Sequence, residues 1–294
     1  MPVRLRRDRT FWRGTFIAMA NPCEVLCETT DEKAAFAISE AAAAEAFRIE
    51  RKFSRYRDDS VVHTIHANHG ATIVLDEETS QLVDYAATLW QLSEGAFDIT
   101  SGVLRYAWRF SEPQNKPTAE VIRELLQRVG WHRVLWARPK LTLPDGMEID
   151  FGGIGKEYAV DRTITILGDS LDVPTLVNFG GDLRTAGPRP AAGAWQVGIE
   201  SIEAAGEADK LIKLATGALA TSGDTHRYVE IDGRRYGHIL DARTGWPASD
   251  APRSVTVAAD TCSQAGTFTT LAMLQGQDAE TFLEREGVRY WCLR

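Results

Sequence analysis

Ala35, Ile38, Ala42, Ala46, Ile49 and Phe53 recur at helical spacing, with polar residues between them. A period near 3.6 predicts a long amphipathic helix with this stripe on the core. The alanines in its middle predict close packing on a sheet. Thr29 and Glu32 fit a capping box at its start. A second stripe, Leu82, Tyr85, Leu89 and Leu92, follows Asp76 as a cap and predicts a helix up to Gly95. A third helix follows Thr118, closed by Gly130. Residues 263–274 and 279–286 read as further helices.

The rest of the pattern is extended. Residues 11–29 read as strand with a break at Asn21-Pro22. Residues 134–136 and 140–143 are short strands. Pro144-Asp145-Gly146 is a turn, after which 147–151 pairs back. Residues 177–183 form a strand running into a Gly-rich turn. Residues 194–199, 210–214, 253–258 and 288–292 read as strands, and 200–209 as a polar loop. Residues 227–231 and the run from Tyr236 flank Asp232-Gly233, which predicts a β-hairpin. Hairpin signals interspersed with helices predict the α+β class, with mixed or antiparallel sheets and packed helices.

Composition narrows the function classes. The 294 residues are 44% hydrophobic and 25% charged, ordinary globular values that allow a sizeable core. A net charge of -8 argues against general nucleic-acid binding. No run reaches the apolar length of a membrane span. Of Cys23, Cys27, Cys262 and Cys292, the first two have no second pair at zinc spacing, and the strand-like sequence around them favours buried free thiols. Few cysteines, none in a framework, fit a reducing compartment. The basic start, with Arg4, Arg6, Arg7, Arg9 and Arg13, raises the question of a twin-arginine export signal. The apolar run after it, residues 15–20, is too short, and Pro22 before Cys23 spoils a lipoprotein cleavage site. Residues 1–10 therefore read as a solvated arm, 11–294 as one domain, and the expected location is cytoplasmic.

Candidate chemistry gathers in short motifs. Tyr236-Gly237-His238-Ile239-Leu240-Asp241 and Thr244-Gly245-Trp246-Pro247 put a histidine and a carboxylate beside a loose exit. Asp150-Phe151-Gly152-Gly153-Ile154-Gly155-Lys156-Glu157-Tyr158-Ala159-Val160-Asp161 sets three glycines at a strand-to-helix junction, where bare backbone can meet a phosphate or a metal. It has neither Walker nor Rossmann spacing. Taken singly, the hairpin also fits a plain surface turn, and Tyr56 a tyrosine packed at a helix end.

Taken together and in order, these motifs resemble the FAD:protein FMN transferases, the ApbE-like flavin transferases. That family carries Thr-Ser-Gly, here Thr221-Ser222-Gly223, and Ser-His-Ile-Ile-Asp-Pro with Thr-Gly-x-Pro. It also carries Asp-Leu-Gly-Gly-Ile-Ala-Lys-Gly-Tyr-Ala-Val-Asp. Its Ser-x-Tyr-x-x-x-Ser pattern is similar to Ser54-Arg55-Tyr56-Arg57-Asp58-Asp59-Ser60. Its Asp-Gly-(Ala)-(Phe/Met)-Asp-Ile-Thr pattern matches Gly95-Ala96-Phe97-Asp98-Ile99-Thr100, with Glu94 at the first acidic position. Trp108-Arg109-Phe110 loosely matches a Trp-Gly-Phe. Val177-Asn178-Phe179-Gly180-Gly181-Asp182-Leu183 resembles the family's Gly-Gly-Asp turn.

The resemblance implies a single ApbE-like, T-fold-like domain. It implies magnesium-dependent transfer of FMN from FAD to a threonine or serine hydroxyl of an acceptor flavoprotein, with AMP released. Carried over residue by residue, Met19, Tyr56, Ala96, Phe97, Asp98, Asp150, Lys156 and Leu240 would contact FAD, and His238 would be the catalytic base. Asp241 would orient its loop. Gly153, through its carbonyl, and Thr270 would ligate magnesium. Two departures stand out. The family's Met-Gly-Thr is Met19-Ala20-Asn21 here, and alanine lacks glycine's freedom. The aspartate that the family sets four residues before the threonine ligand is Gly266, with Asp260 the nearest acid. Two alternatives follow: an FAD-binding protein that has lost the metal step, or an FAD pyrophosphatase in which water attacks.

Overall fold

The computed structural model describes residues 2–110, 116–168, 173–186, 189, 193–204, 206–225 and 227–294. The chain opens with strands β1 (Arg4–Arg7), β2 (Trp12–Ala18) and β3 (Asn21–Cys27), then helices α1 (Glu32–Phe53) and α2 (Val61–Ala67). Next come β4 (Thr72–Val74), α3 (Glu77–Leu92), α4 (Ala119–Leu126), β5 (Leu135–Ala137) and β6 (Lys140–Thr142). Helix α5 (Gly155–Leu167) leads into β7 (Thr175–Phe179), β8 (Asp182–Ala186), β9 (Trp195–Glu200) and β10 (Ala208–Leu214). Then follow β11 (Ala218–Gly223), β12 (Tyr228–Ile231), β13 (Arg234–Gly237), β14 (Leu240–Asp241) and β15 (Trp246–Pro247). The chain closes with β16 (Ser254–Ala259), α6 (Cys262–Leu274), α7 (Ala279–Arg285) and β17 (Arg289–Leu293).

Eight of these strands form one antiparallel sheet in the order β1-β2-β3-β7-β8-β11-β16-β17. Strand alternation divides its residues between two faces. Val177, Phe179, Ala218 and Ala220 point into the main core with α1 and α5. Leu176, Leu183 and Leu219 point the other way, onto Trp195, Ile199, Ile212 and Leu214 of the β9–β10 pair. Helix α6 packs over β11 and β16. The architecture is α+β, as the hairpin and helix pattern predicts.

The stripe on α1 is buried as expected, from Ala35 through Phe53. Its start differs from the expected capping box. Asp31 is the cap, its Oδ1 accepting from the Lys33 and Ala34 amides, while Thr29 Oγ1 accepts from Asp31 N. A carboxylate one residue before the helix outcompetes a hydroxyl further out. Asp76 and Thr118 cap α3 and α4 as expected. Helix α4 stops at Leu126, and Gly130 instead donates its amide to Thr100 Oγ1. The 147–151 stretch is not a strand; it makes one isolated bridge, Ser101 to Glu148. The small sheet there is closed by β4, in the order β4-β6-β5. Arg4–Arg7 is an edge strand on β2 rather than a free arm.

The first hairpin turns at Met19-Ala20, two residues before the expected break, and Pro22 lies within β3 opposite Ile17. Met19 and Ala20 have φ of 52° and 57°, left-handed values that burden a side chain by about 1–2 kcal/mol each. Ala20→Gly is therefore expected to stabilise the protein by about 0.5–1 kcal/mol, after glycine's extra unfolded-state entropy is subtracted. A denaturant midpoint measurement checks this; a lower midpoint for Ala20→Gly contradicts it.

Candidate active site

The Gly-rich motif forms the loop between Phe151 and α5. Gly155 N and Ile154 N donate to Phe151 O, and Gly152 N donates to Asp150 Oδ1 at 2.9 Å. The helix thus begins against an exposed Gly152-Gly153 backbone. A helix N-terminus with bare flanking backbone favours a phosphate group. Asp150 Oδ2 meets Arg55 at 2.5 Å, and Arg55 reaches on to Tyr56 Oη at 2.8 Å. Tyr56 is 82% exposed, with the Arg55 guanidinium 5.0 Å from its ring centroid. Arg55 is a site residue that motif matching missed; a basic side chain inside the tyrosine motif was its only signal.

Lys156, in the first turn of α5, has an acidic partner. Its Nζ pairs at 2.7 Å with Asp182 Oδ2, and Asp182 is 2% exposed. Thr221 N also donates to Asp182, at 3.3 Å. Burial lowers the Lys156 pKa, but Asp182 and Glu157 outweigh it and leave the ammonium firmly charged. The Gly180-Gly181 turn between β7 and β8 thus delivers a counter-ion to the Gly-rich helix. Asp161, the last residue of the same motif, caps α6 through the Cys262 and Ser263 amides and pairs with Arg184.

Glu157, the next residue on α5, is 8% exposed. Among the described residues no donor reaches its Oε2. Burial first, and the Asp182 charge second, push its carboxyl upward against the pull of Lys156. It lines a cavity of about 10 Å³ with Gly153, Gly266, Thr267 and Thr270. That is room for about one water or ion. The cavity therefore gathers both residues expected to ligate magnesium. Tyr85, Leu89 and Ile154 give it an apolar wall, and the groups its lining residues can offer are the Glu157 carboxylate, the Thr270 hydroxyl and the Gly153 carbonyl. Such hard oxygen donors fit magnesium. Among the described residues no three His, Cys, Asp or Glu side chains form a metal cluster. Asp260 is exposed and does not line this cavity. Ser222 of the Thr-Ser-Gly motif bonds Thr269 Oγ1 at 2.9 Å and Thr270 Oγ1 at 3.5 Å, which steadies the α6 side.

The expected hairpin is β12–β13, turning at Asp232-Gly233 with φ of 52° and 71°. His238 follows β13 and is half-buried. Its Nδ1 faces Arg227 O at 3.2 Å. A carbonyl only accepts, so Nδ1 carries the proton and the lone pair lies on Nε2. Burial and the Arg227 charge bring the imidazole down to about 4, and the Lys156 charge contributes in the same sense. His238 is therefore neutral near pH 7 and lies within the electrostatic reach of Lys156. It walls a cavity of about 440 Å³ with Lys116, Asp224, Arg235 and Trp246. Asp224 is held there by Arg235 at 2.8 Å and Arg253 at 2.9 Å. The Phe110 ring stands edge-on to His238, 6.3 Å between centroids.

The Gly95–Thr100 loop is tied to the turn between β14 and β15, because Ala96 O accepts from Ala242 N. Phe97 lies against Gly153, where a Cβ would come within 3.1 Å of its ring. Asp98 is 5% exposed, and it accepts from Thr100 N, Thr100 Oγ1 and Trp131 N at 2.7 Å each. Its carboxylate is occupied within the loop, so it organises the loop from behind. Leu240 is half-buried opposite Pro247 and packs with Trp108 and Tyr236. Asp241 grips Arg243 and accepts the Gly245 amide on its carbonyl, which fixes the exit loop. Gly245 has φ of 73°, a Cβ there would lie 2.6 Å from Ile122, and its carbonyl accepts from Trp108 Nε1. Met19 is half-buried against the main core, and the neighbouring Asn21 touches Gly180 of the Asp182 turn.

A Gly-rich helix start, a paired lysine, a small cavity holding a carboxylate and a histidine-walled cleft are the features of a nucleotide-handling α+β protein. The chain belongs to the ApbE family, whose model matches residues 15–292. It is 30% identical over 232 residues to the FAD:protein FMN transferase of Chlamydia pneumoniae, covering 76% of this chain and 71% of that one. It is 28% identical over 242 residues to the FAD:protein FMN transferase of Haemophilus influenzae, covering 78% and 70%. Among solved structures, the ApbE protein of Thermotoga maritima superposes with a TM-score of 0.86 at 32% identity, covering 96% of this chain and 94% of that one. The apo flavinyl transferase ApbE of Pseudomonas stutzeri superposes with a TM-score of 0.83 at 27% identity, covering 100% and 92%.

Proposed function

We propose that this protein is an FAD:protein FMN transferase that joins FMN to a threonine or serine hydroxyl of an acceptor flavoprotein and releases AMP. The observation that carries the reading is the exposed Gly152-Gly153 backbone at the start of α5, with the Lys156 ammonium paired to buried Asp182 on its first turn. His238, its Nδ1 against Arg227 O, is the base of this reading. Family membership supports it, as do relatives that carry this activity in their names.

The acceptor oxygen attacks the phosphorus on the FMN side of the FAD pyrophosphate. A phosphoester bond forms, the bridging P–O bond breaks, and AMP leaves with its phosphate. His238 Nε2 takes the hydroxyl proton, the task of a base that is neutral at working pH. Lys156 and the Gly152-Gly153 backbone hold the pyrophosphate, where charge stabilisation and positioning dominate such transfers. Tyr56 offers its open face to an aromatic part of FAD, and Phe97 backs the loop at Gly153. The Gly153 carbonyl and the Thr270 hydroxyl are oxygen donors for magnesium; when bound, that ion would neutralise charge on the pyrophosphate oxygens. The 440 Å³ cavity beside His238 would admit the acceptor segment. Among the described residues, no helix is long and apolar enough to cross a membrane.

The test is flavin fluorescence retained by a denatured acceptor protein after incubation with this chain, FAD and magnesium. Retained flavin, absent when the acceptor threonine or serine is replaced, supports transfer. FMN and AMP released together with no labelled acceptor would make the protein a pyrophosphatase. FAD bound with no AMP would make it a flavin-binding module.

A pH profile gives a sharper reading of His238. With its pKa brought down to about 4, the base is deprotonated across the neutral range. The acid limb of kcat/KM is expected below pH 5, not near the ordinary histidine value of about 6.5. Folding stability follows the same sign. The unfolded chain binds the extra proton first, so the contribution of His238 is full above about 6.5 and is lost as pH falls toward 4. An acid limb centred near 6.5 in the kcat/KM profile contradicts this.

A further inference from the structure

We propose that Glu157 is the carboxylate ligand of the divalent cation in this chain, reaching from α5 to do what an aspartate at position 266 of α6 would do. The inference rests on the reading of this cavity as a magnesium site. Four observations carry it. Glu157 is buried, and its Oε2 has no donor among the described residues. A carboxylate in that position is costly unless a cation meets it. Its side chain lines the same small, ion-sized cavity as Gly153 and Thr270, which brings residues bearing a carboxylate, a carbonyl and a hydroxyl around one space, with Tyr85, Leu89 and Ile154 as its apolar wall. Magnesium takes that donor set.

The space that Glu157 fills is also the space that Gly266 leaves open. A Cβ on Gly266 would lie 2.6 Å from Glu157 Cγ, 2.8 Å from Oε1 and 3.0 Å from Cδ. No side chain fits at 266 while Glu157 stands as it does. The residues at 157 and 266 therefore depart from the family pattern reciprocally. Where the pattern has glycine after the motif lysine, this chain has Glu157. Where the pattern has aspartate, this chain has Gly266. One carboxylate remains, moved across the α5–α6 contact.

The test uses the full chain and Mn²⁺ as the probe, titrated by electron paramagnetic resonance in saturating FAD without acceptor, so no turnover is needed. Glu157→Gln is expected to weaken Mn²⁺ binding by about 100-fold or more, beyond the loss seen when only an outer-shell partner of a metal site is removed. FAD affinity in chelator should be unchanged. The double variant Glu157→Gly/Gly266→Asp should restore Mn²⁺ binding to within about tenfold of the natural chain, as a coupled pair requires. Gly266→Asp alone should not improve binding, because two side chains would compete for one space. Asp260→Asn should change nothing. The assignment is overturned by Glu157→Gln binding Mn²⁺ as tightly as the natural chain, by no binding in the natural chain, or by a folded double variant that fails to bind. If Glu157→Gln does not fold, the double variant decides alone.

Failure of the transferase reading would look different. Mn²⁺ bound through Glu157 without AMP release leaves the ligand and removes the enzyme. AMP release untouched by Glu157→Gln leaves the enzyme and removes the ligand.

Discussion

Flavin transfer by the His238→Ala protein is expected to fall by about 10²–10⁴-fold, the usual contribution of a general base. FAD affinity should hold, because the role given to His238 is toward the acceptor hydroxyl, while the pyrophosphate is left to Lys156 and the Gly152-Gly153 backbone. His238→Asn gives the finer contrast. It can keep a bond to Arg227 O but has no lone pair of comparable basicity at the Nε2 position. If the role is proton transfer, both variants lose kcat alike. If His238 only braces the hairpin, the asparagine protein should recover. Full activity in the alanine protein would remove His238 from the chemistry.

The second large effect is on stability. Asp182→Ala is expected to destabilise the fold by about 3 kcal/mol, the lower end of the range for breaking a buried ion pair. The lower end applies because Asp182 is 2% exposed while the Lys156 side chain is 29% exposed and retains some water. Removal leaves an ammonium without its counter-ion and the Thr221 amide without its acceptor. Asp182→Asn keeps the shape and should recover part of the loss. It should also weaken the hold on Lys156, which pyrophosphate then competes for more easily. Urea unfolding of both variants reads the first effect, and FAD titration the second. Wild-type stability in Asp182→Ala would mean that the pair is dispensable.

The fold was largely legible because its signals are local. The α1 stripe, the Asp76 and Thr118 caps and the Asp232-Gly233 turn each depend on neighbours within a few residues. Errors fell where two local signals compete. Asp31 won the cap from Thr29. The first hairpin turned at Met19-Ala20 because antiparallel pairing set the register, and no local propensity favours alanine at positive φ. The isolated Ser101–Glu148 bridge replaced a strand because residues 147–151 pair with a distant loop.

The site was legible only in part, for a related reason. Motif order brought Gly153, Lys156, His238 and Thr270 into view. It could not show that Asp98 has its carboxylate occupied by Thr100 and Trp131, or that Arg55 holds Asp150. The Trp131 and Arg55 contacts join residues far apart in the chain, and they are fixed by packing. Gly266 looked like a lost ligand because α6 holds no other acid. The acid lies on α5, and the exchange is visible only when the two helices are set side by side.

The most direct measurement of the central claim is the intact mass of an acceptor flavoprotein after reaction, with AMP counted in the same sample. Transfer predicts one FMN phosphoester on the acceptor for each AMP released, and neither product from an acceptor whose target threonine or serine is alanine. AMP and free FMN in equal amounts, with the acceptor mass unchanged, would contradict transfer.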